Sequence, residues 1–158
     1  KIILAGDNYD INFNYIFSVI RLNSNGSLDT GFDGDGKKTI SGNTGSDNFA
    51  GLELHDGKII ISGTGYDGNQ VFVAYRLNSD GSFDTTFDTD GKVSTNFGTQ
   101  GLCYTSAIQP DGKLILGGNL AGIGATLVRY NLNGSIDNSF GTNGIYTSTS
   151  PNETRFIK

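Results

Sequence analysis

The stretch RLNSDGSFDTTFDTDGKV, from Arg76 to Val93, holds four aspartates, two Asp-Gly steps and several hydroxyls. Carboxylates at that density suit Ca2+, which takes about six to eight oxygen ligands. The spacing fits a calcium loop poorly. An EF-hand loop with its glycine at Gly91 begins at Thr86 and puts Phe97 where the bidentate acid belongs. A shorter Asp-x-Asp-x-Asp-Gly-x-x-Asp loop falls on Thr86, Asp88, Asp90 and Ser94, with half of its carboxylates missing. In the other frame Asn78, Asp80, Gly81 and Asp84 fit, but the first ligand position is the cation Arg76.

The stretch recurs twice more, as RLNSNGSLDTGFDGDGKK from Arg21 and RYNLNGSIDNSFGTNGIY from Arg129. Asp80 is matched by Asn25 and Asn133, Asp88 by Asp33 and Gly141, Asp90 by Asp35 and Asn143. The third copy keeps only Asp137 of these carboxylates. A shared metal would preserve carboxylates, whereas a shared turn preserves glycines. The expectation is therefore no cofactor, with calcium kept as a minor alternative at Asp33, Asp35, Asp80, Asp88 and Asp90.

Each copy has an Arg at a strand end and an Asp eight residues later: Arg21 and Asp29, Arg76 and Asp84, Arg129 and Asp137. A guanidinium in an apolar strand wants a partner, which favours a repeated Arg–Asp contact. A local turn in which the Asp accepts backbone N–H groups is the alternative. Phe32, Phe87 and Phe140 recur at a fixed place and read as aromatic plugs between repeats.

Other reactive types are sparse. His55 is the only histidine and sits at a hairpin. Glu53 and Glu153 are the only glutamates and lie far apart. The single cysteine, Cys103, excludes an intrachain disulfide and a Cys-based zinc site, and reads as a small core residue. The glycine-spaced GTGYDG and GGNLAGIG lack a strand-to-helix context and a following Lys-Ser/Thr, so they are not phosphate loops. Two of the three Asn-x-Ser/Thr triplets, at Asn25 and Asn133, belong to the repeat's own turn, and the third is at Asn152. An enzyme is not expected.

These residues must be positioned by strands. Lys1, Lys58 and Lys113 open equivalent apolar runs, spaced by 57 and 55 residues. In the second unit the candidate strands are Gly51–Leu54, Lys58–Ser62, Val71–Leu77 and Lys92–Thr95; in the third, Tyr104–Ile108, Lys113–Leu116, Ala125–Tyr130 and Gly144–Ser148. Asp56-Gly57, Asp80-Gly81 and Asp90-Gly91 fall between them, dipeptides that favour the positive φ of tight turns. No segment shows helical spacing of its apolar residues. Val71–Leu77 is apolar on both faces, so both faces are covered. Four-stranded sheets stacked as propeller blades satisfy this. The expected units are 1–48, 49–101 and 102–150, with 151–158, NETRFIK and the residue before it, starting a fourth. The chain then reads as part of a larger propeller; a β-trefoil and an open β array are the rival architectures.

The formal net charge is −5 with only 11 Lys and Arg, which argues against nucleic acid and anionic membrane surfaces. No run reaches the ~18 apolar residues of a membrane span. The 24 glycines exceed the usual ~7% about twofold and sit between apolar runs.

QPDGKLILGG from Gln109 and VRYNLNGSIDNSFGTNGIYT from Val128 resemble the bacterial delta-60 repeat. The third unit matches through Pro110, Asp111, Gly112, Lys113, Arg129, Tyr130, Asn131, Gly134, Ser135, Asp137, Phe140, Gly141 and Gly144. The other units depart at Leu22 and Leu77 for Tyr, at Asp33 and Asp88 for Gly, and at His55 for Pro. The resemblance implies a propeller-like fold in large secreted or cell-surface bacterial proteins, some linked to adhesion. It implies no ligand. The expected role is a non-catalytic structural or interaction module, partnered by further repeats of its parent chain or by another surface or secretion protein. A carbohydrate-binding module that takes a glycan is the rival.

Overall fold

The computed structural model describes residues 1–41 and 48–148. The NETRFIK segment and Asn152 lie outside the described residues. All described secondary structure is extended. Sheet one comprises β1 (Ile2–Tyr9), β2 (Tyr15–Leu22) and β3 (Lys37–Ile40). Sheet two comprises β4 (Asn48–His55), β5 (Lys58–Tyr66), β6 (Gln70–Leu77) and β7 (Lys92–Thr95). Sheet three comprises β8 (Gly101–Ile108), β9 (Leu114–Leu120), β10 (Gly124–Tyr130) and β11 (Ile145–Thr147). Each sheet is an antiparallel meander in chain order. Units one, two and three below mean these sheets with their connecting turns. Against four expected strands per unit, unit one has three described ones.

Sheets packed face to face are the blade arrangement. β6 is buried on both faces because each face meets a different sheet. Val73, Tyr75 and Leu77 join a core with Phe17, Val19 and Phe32 of unit one. Phe72 and Ala74 join a second core with Leu114, Leu116 and Val128 of unit three. Alternation along one strand thus supplies two cores, as period-two side-chain direction requires.

The middle and last units have longer first strands than the apolar runs suggest. β4 begins at Asn48 and β8 at Gly101 because a register shift, between Phe49 and Gly51 and between Cys103 and Thr105, lets pairing continue past a break in the alternation. The turns also divide into types. Asp56 and Gly57 both have positive φ, as a two-residue hairpin requires. At Asp90-Gly91 the chain instead makes a wider turn: Asp88 and Thr89 adopt positive φ, and the Gly91 N–H reaches the Phe87 carbonyl.

Candidate functional site

The Arg–Asp–Phe block builds the same small cluster three times. β2, β6 and β10 each carry an Arg as their penultimate residue, and its N–H and carbonyl are held by the turn that follows. In unit two the Arg76 N–H donates to Gly91 and the Arg76 carbonyl accepts from Asp84. This brings the aspartate under the guanidinium. Arg Nε lies 2.7 Å from Asp29 Oδ2 in unit one, and 2.8 Å from Asp84 and Asp137 Oδ2 in units two and three. The other carboxylate oxygen caps the turn: Asp29 Oδ1 accepts from the Gly31 N–H, Asp84 Oδ1 from Thr86 and Asp137 Oδ1 from Ser139. One side chain therefore makes both contacts that the sequence left open as alternatives.

A lysine completes each cluster. Lys1, Lys58 and Lys113 place Nζ 3.0 Å from the same Oδ2. The sequence aligned these lysines but did not connect them to the aspartates; their recurrence in step with the Arg was the available signal. The guanidinium lies over the phenylalanine ring, 4.9, 4.4 and 4.6 Å from the centroids of Phe32, Phe87 and Phe140. Cation–π attraction of this kind grows when the pair is desolvated.

The electrostatics fix the carboxylates as anions. Burial alone would raise Asp84, but the Thr86 hydroxyl, Lys58 and Arg76 outweigh it and hold Asp84 well below the usual carboxylate range. The Ser139 hydroxyl, Lys113 and Arg129 do the same for Asp137. Lys1 and Arg21 lower Asp29. A carboxylate so stabilised cannot take and return a proton near neutrality, which general acid–base work demands.

The clusters also reach across to the next unit. Arg21 Nη1 donates to the Ser79 carbonyl, and Arg76 Nη1 to the Leu132 carbonyl. Beside them the Asp33 N–H donates to the Asp80 carbonyl at 2.7 Å, and the Asp88 N–H to the Asn133 carbonyl at 2.9 Å. Phe32 and Phe87 are fully buried at these junctions and Phe140 is half-buried. The two inner phenylalanines are packed with side chains of the following unit, in the two cores described above.

The remaining aspartates have local duties. Asp80 Oδ1 accepts from the Ser82 N–H and hydroxyl at 2.9 and 2.6 Å. Asn25 and Asn133 make the same pair of bonds to Ser27 and Ser135. The turn needs an acceptor oxygen, which Asn and Asp supply alike. Asp33 pairs with Lys38 at 2.9 Å. Asp35 and Asp90 cap the N–H groups of Lys37 and Lys92. Asp88 contributes its positive-φ backbone. Among the described residues no three His, Cys, Asp or Glu side chains gather to hold a metal ion.

A cavity of about 360 Å3 lies between units two and three, lined by His55, Asp56, Lys58, Arg76, Thr86 and Leu132 among others. Its cations are engaged: Arg76 Nη2 donates to Thr86 Oγ1, and Lys58 Nζ to Asn78 as well as Asp84. His55 Nε2 faces Asp56 at 3.5 Å. Glu53 accepts from Ser106 across the junction. Cys103 is buried, and burial pushes its thiol up to about 12. No described helix is long and apolar enough to cross a membrane.

Stacked antiparallel meanders joined by a repeated junction define a β-propeller repeat domain. The chain belongs to the family described as domain of unknown function (DUF5122) beta-propeller, which matches residues 1–32, 55–87 and 109–140. Each matched segment ends on a junction phenylalanine, so the family pattern covers the strand pair and the Arg–Asp–Phe turn. A comparison with curated proteins finds no match.

Proposed function

We propose that this domain is a non-catalytic structural and interaction module of a large exported bacterial surface protein of the delta-60 repeat type, with a link to adhesion. One observation carries this reading: the charged residues that recur in every unit are spent on holding turns and junctions together. The three shared carboxylates each face an Arg and a Lys. What recurs is scaffold, and a scaffold presents surface. The net charge of −5 and the single buried cysteine suit an acidic exported chain and assign no chemistry.

A second reading, a carbohydrate-binding module, is favoured by the β1–β2 hairpin tip. Phe13 is almost wholly exposed at positive φ, and on the same hairpin the rings of Tyr9 and Tyr15 lie tilted at 42° with centroids 4.5 Å apart. Exposed rings stack on sugar faces. A glycan array run alongside a panel of hydrolase substrates tests both readings. The expected result is no turnover and no saturable glycan binding. Glycan binding abolished by Phe13→Ala would select the second reading, and turnover would overturn both. Antibody labelling of intact cells, with no signal from the surface, would overturn the export assignment.

A further inference from the structure

What recurs in a repeat is scaffold. Departures from the repeat that gather in one place mark something particular to the molecule. Two departures meet at the cavity of about 360 Å3 between units two and three. His55 stands where unit three has Pro110, and Leu132 stands where units one and two have Ser24 and Ser79. Both line the cavity, with Gly112 between them. A β-carbon built on Gly112 would meet the Leu132 side chain and His55 Nε2. His55 belongs to unit two and Leu132 to unit three, so the junction itself makes the cavity.

Part of the lining is cationic, and its cations are not exhausted by their partners. Arg76 and Lys58 share one carboxylate, that of Asp84. Asp84 is saturated, because its other oxygen already accepts from the Thr86 N–H and hydroxyl. Positive charge is therefore left over. Arg76 donates through Nη1 to the Leu132 carbonyl and through Nη2 to the Thr86 hydroxyl. Each of those nitrogens carries a second N–H. Lys58 Nζ meets Asn78 and Asp84 and keeps a further proton. The other carboxylate at the cavity, Asp56, has a side chain 88% exposed, where water and salt screen it. The rest of the lining includes apolar surface at Leu132 and Ile60.

We propose that this cavity binds a small organic carboxylate with an apolar body. The spare N–H groups of Arg76 and Lys58 take the carboxylate, since a planar guanidinium matches that geometry. Leu132 and Ile60 cover the apolar part, and His55 closes the cavity against Gly112. The volume falls within the ~300–1,000 Å3 of small-molecule sites. A ligand held here touches units two and three at once and so clamps their junction. The site goes beyond the interaction-module reading and is separate from the β1–β2 tip that favours a glycan.

An NMR titration of the chain with acetate, hexanoate and benzoate tests the proposal, with hexanamide as the uncharged control. Hexanoate or benzoate is expected to shift the amide signals of His55, Gly112 and Leu132 saturably, at least about tenfold more tightly than hexanamide. Leu132→Ser, which installs the residue of the other two units, should weaken that binding by at least about fivefold, with circular dichroism unchanged. Saturating ligand should raise the melting temperature of the wild type and not of Leu132→Ser. No saturable shift from any of the three acids, equally tight binding of hexanamide, or binding undiminished in Leu132→Ser would each overturn the inference. None of these results touches the interaction reading, which the glycan and turnover assays decide separately.

Discussion

Phe87 and Phe140 occupy the same place in successive units, under equivalent arginines, and differ in what lies beyond them. Phe87 is sealed by Cys103, Leu114 and Tyr130 of the following unit. Phe140 keeps its guanidinium contact at 4.6 Å but is only half-buried. The intra-unit cluster therefore forms without a neighbour, since Arg129, Asp137 and Lys113 meet as closely as their counterparts do. What the neighbour adds is desolvation, with the carbonyl partner for Nη1. Local geometry belongs to the repeat; most of the apolar burial belongs to the junction.

The largest break in this comparison comes from Gly118. A side chain there collides with the Phe72 ring and with the Leu102 backbone. Gly118→Val should leave no cooperative thermal transition, while Gly6→Val melts like wild type; overlapping melting curves for all three would refute the close packing at Gly118. Next in size, Phe87→Ala should cost about 3–5 kcal/mol, as for a buried aromatic. Phe140→Ala should cost roughly half as much or less, because less area leaves water. Chemical denaturation distinguishes them, and equal losses would mean that Phe87 gains nothing from unit three.

Smaller effects come from charge. Asp29, Asp84 and Asp137 all have folded pKa values below those of the unfolded chain, so they bind fewer protons when folded. Their stabilisation is complete above the unfolded carboxylate pKa of about 4 and fades as pH falls below it. Acid titration should show stability declining from about pH 4 downward, and Asp84→Asn should flatten that decline more than substitution of any turn-capping Asp. A steep decline unaltered by Asp84→Asn would remove the cluster from the account. The smallest effect is kinetic. Cys103 should react with a thiol reagent at pH 8 only as fast as the fold opens, since its thiol is neutral there and buried. Rapid labelling of folded protein would contradict the packing between units two and three.

Much of this was legible in the chain. The recurrence of Arg, Asp, Phe and Gly in register located the strands, the turns and the partnered aspartate. The exchange of Asp80 for Asn25 and Asn133 already spoke for an acceptor oxygen in the turn. The third member of the cluster was not legible, because Lys58 lies 26 residues from Asp84 and only the pairing of β5 with β6 brings them together. The bulges at Ala50 and Tyr104 were hidden too, since the break they put in the alternation reads in the chain as the start of the strand.

By itself, then, the sequence determined a threefold β repeat, its turn chemistry and the residues that stabilise each unit, because these depend on contacts close along the chain. The tertiary structure decided which surfaces are spent. Gly6, Gly63 and Gly118 open equivalent positions in equivalent strands, and nothing local separates them. Only the tertiary structure shows that the Asn48 and Leu102 carbonyls of the adjoining strand, together with Phe17 and Phe72 of the preceding unit, close the space at Gly63 and Gly118, because burial is set by what packs around a strand.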